Sequence, residues 1–342
     1  MRRTLPAVIG LLSLLMGLLV APSAHAVDAT ETLAPQSAHG ITVLDTRQVR
    51  DRVWEVDIAS RHVGPHTHKG KLQVRVVLPA NYFESRTKHK RYPVQYLLHG
   101  QGGRSSDWTE QSRVVDYTAD KDVIVVTPEG GAGGWYTDWV DQRQGKQNLE
   151  EFHVHQLVPF IDANFRTIAT KQGRAISGFS MGGFGAMHYA GRHPHLFAYA
   201  SSFSGGLDLD NPAIRIAVEA SAALNDLYPL NGAFGTAVRG LDDNWKRHNP
   251  VRMASNFSTV EVSLYAGNGL KPGLDIIEIG SRDATVAFDK ALTRAGVPHY
   301  TNYYGNPGTL NGESCLGDHT WTCASGAYKE DLGRMMAAFS HQ

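Results

Sequence analysis

Net charge is what this sequence lacks, because 33 lysines and arginines stand against 33 aspartates and glutamates. Without a positive surplus or a basic stripe there is no electrostatic footprint for nucleic acid. Beyond residue 26 there is also no apolar run approaching the ~20 residues that a bilayer span requires. Repeats and low-complexity linkers are missing as well. Metal-ligand spacing is thin: His66 and His68 in "PHTHKG" and His153 and His155 in "HVH" come without an obvious third ligand, and a two-residue spacing on a helix splays the side chains. No metal and no cofactor is therefore expected. What remains is a partner that is small or amphiphilic.

The first 26 residues are of another kind. Arg2 and Arg3 precede an apolar run from Leu5 to Val20, and Ala24-His25-Ala26 follows as a small-x-small cleavage pattern. That is a secretory signal, and it predicts a secreted protein cleaved near Ala26. Its removal leaves 31 positive against 33 negative charges over about 316 residues. Residues 27–40, "VDATETLAPQSAHG", are small and polar and read as a flexible leader. Residues 41–342 then form one expected domain. The two cysteines, Cys315 and Cys323, form a close pair, and in an exported chain such a pair reads as a disulfide contributing roughly 2–3 kcal/mol.

Apolar runs bounded by glycine or proline predict strands at 54–60, 72–79, 92–100, 122–131, 174–180, 199–206, 260–269 and 299–305. The earlier ones alternate and suit antiparallel pairing, whereas the later ones are solidly apolar, as strands covered on both faces are. Helical periodicity is read at 149–165, 182–193, 212–225, 282–296 and 326–339. Strand and helix alternate from about residue 92. The order predicts an α/β fold with a mostly parallel central sheet and helices on both faces, with ligands at the carboxyl ends of the strands.

Gly178-Phe179-Ser180-Met181-Gly182 fits G-x-S-x-G, with a strand before it and a helix after. In that context the glycines let strand and helix nearly touch, and the serine is lifted into the open as a nucleophile. Such a serine needs a base held by an acid, in chain order serine, acid, histidine. His319 in "GDHTWTC" lies after the last strand and before the last helix; His299 starts a strand and His341 is terminal. For the acid, Asp275, Glu278 and Asp283 all follow the strand "VEVSLYAGNG". Asp283 suits a helix N-cap or first turn. Glu278, between Ile277 and Ile279, demands a partner if buried. Spacing alone leaves Glu278 and Asp283 level. The oxyanion donors expected are the N–H of Met181 and that of Gln101 in "HGQGGRSSDW".

The stretches "YLLHGQGG", "VVTPEGGAGGWYTDW", "GFSMGGFGAMHYAGRHP", "SSFSGGLD", "NWKRHNP", "LYAGNG" and "DHTW" together resemble the secreted esterase and acyltransferase branch of the α/β-hydrolases. Within it they resemble the antigen 85 mycolyltransferases, over most of the chain from about residue 92. The resemblance implies an α/β-hydrolase fold, Ser180 and His319 as nucleophile and base, and Gln101 and Met181 as oxyanion donors. It breaks the tie between the acids, since the family's glutamate precedes a helix carrying a phenylalanine, matching Glu278 and Phe288. Trp321, Trp135 and Tyr136 are implied at the acyl site. His99 stands where the family has an aspartate, and Arg104 lies one shift from the arginine that helps hold the sugar; both are expected near the substrate. The cysteine pair around His319 and the longer segment before it depart from the family pattern. The implied activity is acyl transfer through a serine ester, to water as an esterase or to a sugar or glycerol hydroxyl as a transferase. The rival expectation is a non-catalytic glycan- or matrix-binding protein on the same scaffold.

Overall fold

The computed structural model describes residues 32–64, 71–225 and 229–340. The expected signal peptide at 1–26, the first five leader residues, His66, His68 and His341 lie outside the described residues. Nine strands form one sheet: β1 (Ile41–Arg50), β2 (Val53–Ser60), β3 (Leu72–Val77), β4 (Val94–Leu98), β5 (Ile124–Pro128), β6 (Arg174–Phe179), β7 (Tyr199–Phe203), β8 (Glu261–Gly267) and β9 (His299–Gly305). Their order is β1-β2-β3-β5-β4-β6-β7-β8-β9. The antiparallel pairs are β1 with β2, β2 with β3, and β3 with β5; from β5 onward every pair is parallel.

Composition explains the arrangement. Every residue of β4, β5, β6 and β7 is buried, which requires cover on both faces. β1 sits at one edge with mostly exposed side chains, among them Asp45, Arg47 and Arg50, and charge on an edge discourages pairing with another chain. That polarity is also why periodicity does not single β1 out as a strand.

The helices are α1 (Asp107–Glu110), α2 (Val114–Tyr117), a π-helical stretch (Glu151–Leu157) running into α3 (Val158–Asn164), α4 (Met181–Arg192), α5 (Pro212–Leu224), α6 (Asp243–Arg247), α7 (Ile276–Arg294) and α8 (Trp321–Ser340). Neighbouring strand residues feed opposite cores. Leu98 and Ile176 pack with Phe184 of α4 and Phe288 of α7, whereas Leu97 and Ala175 pack with Tyr328 and Met335 of α8. Two helices start earlier than periodicity predicts. α7 begins at Ile276, not near 282, because Asp275 caps it by accepting from the N–H groups of Ile277 and Glu278. α8 begins at Trp321, not near 326.

A short hairpin of β10 (Gly308–Leu310) and β11 (Glu313–Cys315) occupies the longer segment before His319. The Cys315–Cys323 disulfide joins β11 to the first turn of α8. The five-residue link between them, 316–320, carries His319. Covalent closure at both ends thus narrows the positions that His319 can adopt.

Candidate active site

Ser180 occupies the corner between β6 and α4 with φ 57° and ψ −120°, a strained conformation for a residue with a side chain. The corner is possible because of its glycines. A Cβ on Gly178 would meet the carbonyl oxygen of Gly182 at 2.2 Å, and one on Gly182 would meet that of Leu98 at 2.3 Å. The Ser180 N–H donates to the carbonyl of Phe203, which ties the corner to the end of β7.

His319 Nε2 lies 2.8 Å from Ser180 Oγ, and its Nδ1 lies 2.8 Å from Glu278 Oε2. A carboxylate only accepts, so Nδ1 carries the ring proton and Nε2 presents a lone pair to the serine hydroxyl. The ring stacks on Phe179 with centroids 4.8 Å apart. The main-chain N–H of His319 donates to Asp275 Oδ2 at 2.9 Å. Asp275 therefore caps α7 with one oxygen and anchors the histidine loop with the other. Hydrogen bonds to its charged form outweigh desolvation and hold its carboxyl below the usual range.

Glu278 is fully buried. Its second oxygen, Oε1, accepts from Ser204 Oγ at 2.8 Å and from the N–H of Gly267 at 2.5 Å. Ser204 follows β7 in a left-handed conformation, φ 50°, which turns its hydroxyl to the carboxylate. A hydrogen bond to a charged group contributes about 1.5–3 kcal/mol. Ser204→Ala is therefore expected to lower kcat about tenfold or more with KM unchanged, and steady-state kinetics on an acyl ester would show it. An unchanged kcat would mean that the Gly267 N–H alone orients Glu278.

The other expected site residues divide. Gln101 is exposed beside the serine; a Cβ on Gly100 would lie 3.3 Å from Ser180 Cβ, so the Gln101 loop passes close to Ser180. Met181 is the first residue of α4, where a main-chain N–H has no acceptor within its own helix. Trp135 lines the cleft, with its indole N–H donating to Ser221 Oγ at 2.7 Å.

Four of the expected placements need correction. His99 is buried and faces away from the cleft: Nε2 accepts from the N–H of Gly130 at 2.8 Å, and Nδ1 lies 2.8 Å from the carbonyl oxygen of Gly100. It braces the Gln101 loop from behind. Tyr136 is buried too, and its hydroxyl donates to the His99 carbonyl at 3.0 Å. Arg104 is exposed outside the cleft lining, and its main-chain N–H donates to Asp107. Trp321 packs between Phe179 and Trp108, each ring 5.0 Å away, so it backs the histidine and does not line the cleft. Asp283 also leaves the site, being exposed in the middle of α7, where it neither caps nor approaches His319. Of the histidine pair at 153 and 155, His153 is buried against Tyr189 and the Glu129 carbonyl whereas His155 is exposed, so the two diverge.

A cavity of about 450 Å³ opens beside Ser180. One wall is α5, through Ala213, Ile214, Ala217, Ala220 and Leu224; another is the start of α7, through Ile276 and Ile277. Its size falls in the ~300–1,000 Å³ range of small-molecule sites. The lining is apolar except near Gln101, Ser180, Ser221 and Ser281. Sequence reading missed this cavity and Ser204. The exposed apolar residues Ile216, Leu224, Ile276 and Ile277 carried the signal for it.

A mostly parallel sheet with a serine at the strand-to-helix corner and a histidine before the last helix is the architecture of the α/β-hydrolases. The chain belongs to the esterase family described as "Putative esterase", which it matches over residues 66–339. It is 34% identical over 267 residues to an esterase of Mycobacterium tuberculosis, covering 76% of this chain and 56% of that protein, so it spans little more than half of that relative's length. It is 30% identical over 241 residues to the diacylglycerol acyltransferase/mycolyltransferase Ag85B of Mycolicibacterium smegmatis, covering 66% of this chain and 71% of that one. Among solved structures, an S-formylglutathione hydrolase from Agrobacterium tumefaciens superposes with a TM-score of 0.65 at 16% identity, over 87% of this chain and 99% of its own. Mycobacterium tuberculosis MPT51 does so with 0.62 at 23%, over 79% and 94%. These structural likenesses carry the fold.

Proposed function

We propose that the protein is a secreted serine acyl-transfer enzyme acting on carboxylic esters of aliphatic acids. The observation that carries this reading is the continuous line from Glu278 through His319 to Ser180, 2.8 Å at each step, at the mouth of an apolar cavity. The signal-like residues 1–26 and the Cys315–Cys323 bond support export to an oxidising compartment.

In the proposed reaction Ser180 Oγ attacks the ester carbonyl while its proton passes to His319 Nε2. Glu278 holds the ring and offsets the charge of the imidazolium. The N–H groups of Gln101 and Met181 take the oxyanion, and the positive end of α4 adds to their field. When the tetrahedral adduct collapses, the ester C–O bond breaks and the departing alkoxide takes the proton from His319. Water, or a sugar or glycerol hydroxyl, then gives its proton to His319, attacks the acyl-serine and restores Ser180. Hydrolysis and transfer use the same protein groups; they differ in the acceptor that the cleft holds and in how well water is kept out.

The aliphatic lining sets the acyl preference. Each methylene buried adds about 0.8 kcal/mol, or roughly fourfold, to transition-state binding. Ala217 projects from α5 into the cavity and is otherwise exposed, so Ala217→Phe fills acyl space without disturbing the core. With a series of p-nitrophenyl esters, the variant is expected to lose at least tenfold in kcat/KM on octanoyl and longer esters while acetyl ester turnover stays near wild type. A uniform loss, or none, would place the acyl chain elsewhere.

A further inference from the structure

Two turns along α4 from Ser180 lies a cluster that acyl transfer does not use. His188 is completely buried, and its Nδ1 lies 3.1 Å from the carbonyl oxygen of Tyr136. A carbonyl only accepts, so Nδ1 carries the proton and Nε2 keeps a lone pair. That lone pair faces His248 Nδ1 at 2.8 Å, just past the end of α6. Buried Glu150 is the third member, and its Oε1 accepts from Arg192 Nε at 2.6 Å and meets His193 Nε2 at 2.7 Å. One ligand atom from each of Glu150, His188 and His248 falls within 4.8 Å of the others. The other such group among the described residues, Cys315, Asp318 and Cys323, has both sulfurs in the disulfide.

Two imidazoles and a carboxylate from three separate segments therefore converge on one point.

We propose that Glu150, His188 and His248 form a structural zinc site. Two nitrogens and one oxygen fit Zn²⁺, whereas Ca²⁺ and Mg²⁺ favour all-oxygen sets. The Tyr136 carbonyl on the far nitrogen of His188 is the kind of partner that fixes a metal-binding imidazole. Entry of the ion replaces the proton between the rings: His248 moves it from Nδ1 to Nε2, and no net proton leaves. Thr137 Oγ1 lies 3.3 Å from His248 Nδ1. The ion would cross-link the start of the π-helical stretch, the nucleophile-bearing α4 and the segment after α6.

The test uses the full chain, stripped with a chelator and titrated with zinc chloride in a calorimeter. One zinc per chain is expected, with a Kd of ~1 µM and a rise in Tm of several degrees; Co²⁺ is expected to give the visible absorption of a four-coordinate ion, and Ca²⁺ no effect. His248 is only partly buried, so His248→Ala is expected to fold, and Glu150→Gln keeps the shape of the buried carboxylate. Each is expected to weaken zinc at least tenfold. The absence of stoichiometric binding overturns the site, as does binding that both variants leave intact, which would belong to other histidines.

Discussion

Ser180→Ala is expected to lower ester turnover by about a million-fold, roughly the loss that follows removal of the nucleophile from a serine hydrolase. The fold is expected to persist. Alanine keeps the Cβ, so the strain of the φ 57° corner is neither relieved nor increased, and the main-chain bond from residue 180 to Phe203 remains. The substitution removes the 2.8 Å hydrogen bond to His319 Nε2, whose ring is still held by Glu278 and Phe179. Tm within about two degrees of wild type and loss of fluorophosphonate labelling would accompany the loss of activity. A variant that kept a tenth of wild-type turnover would show that another group attacks the ester. Activity and labelling together separate this from an inactive scaffold, because a binding protein would not have been labelled at the start.

The parts of the site that could be read in the sequence are those fixed by main-chain geometry. G-x-S-x-G demands glycine where strand and helix cross, and the clashes that a Cβ would make at Gly178 and Gly182 give the reason. His319 could be found from its place between the last strand and the last helix. Glu278, the carboxylate that meets His319, is harder to find, because the start of α7 does not look helical by periodicity. Ile276 is 79% and Ile277 61% exposed, as they rim the cavity and do not face the core. The regular apolar face begins only beyond them, which shifts the expected helix start to 282 and gives Asp283 a false resemblance to a cap.

Side-chain direction in loops is out of reach for a related reason. His99, Arg104 and Tyr136 lie near the serine in sequence pattern, but no period governs which way a loop residue points. Burial of His99 and Tyr136 behind the Gln101 loop is settled by packing of Tyr136 into the spaces left by Gly130 and Gly185. The Glu150, His188 and His248 cluster is likewise assembled by tertiary packing of distant segments. Its spacing carries no motif.

Glu278→Gln tests the other end of the line and is expected to cost about 10³–10⁴-fold in kcat with KM little changed. Three donors meet the carboxylate. His319 Nδ1–H approaches Oε2, and the Ser204 hydroxyl and Gly267 N–H approach Oε1. A glutamine has one acceptor and one donor end, so it cannot satisfy both sides while the ring proton stays on Nδ1. If its oxygen faces His319, its NH₂ meets the N–H of Gly267, two donors in a buried space. If it turns over, its NH₂ faces Nδ1 and drives the ring proton to Nε2, where a proton disables the base. The first orientation leaves the buried N–H of Gly267 unpaired, at a cost of about 1–3 kcal/mol, so Tm is expected to fall if it is adopted, whereas the second pairs every group but disables the base. Asp283→Asn is the matched control, since it removes the same charge from the same helix at an exposed position. Wild-type kinetics in that control beside the collapse in Glu278→Gln would tie the effect to the hydrogen bond with the histidine. Equal losses in the two would mean that the charge of α7, and not its hydrogen bond to His319, supports the reaction.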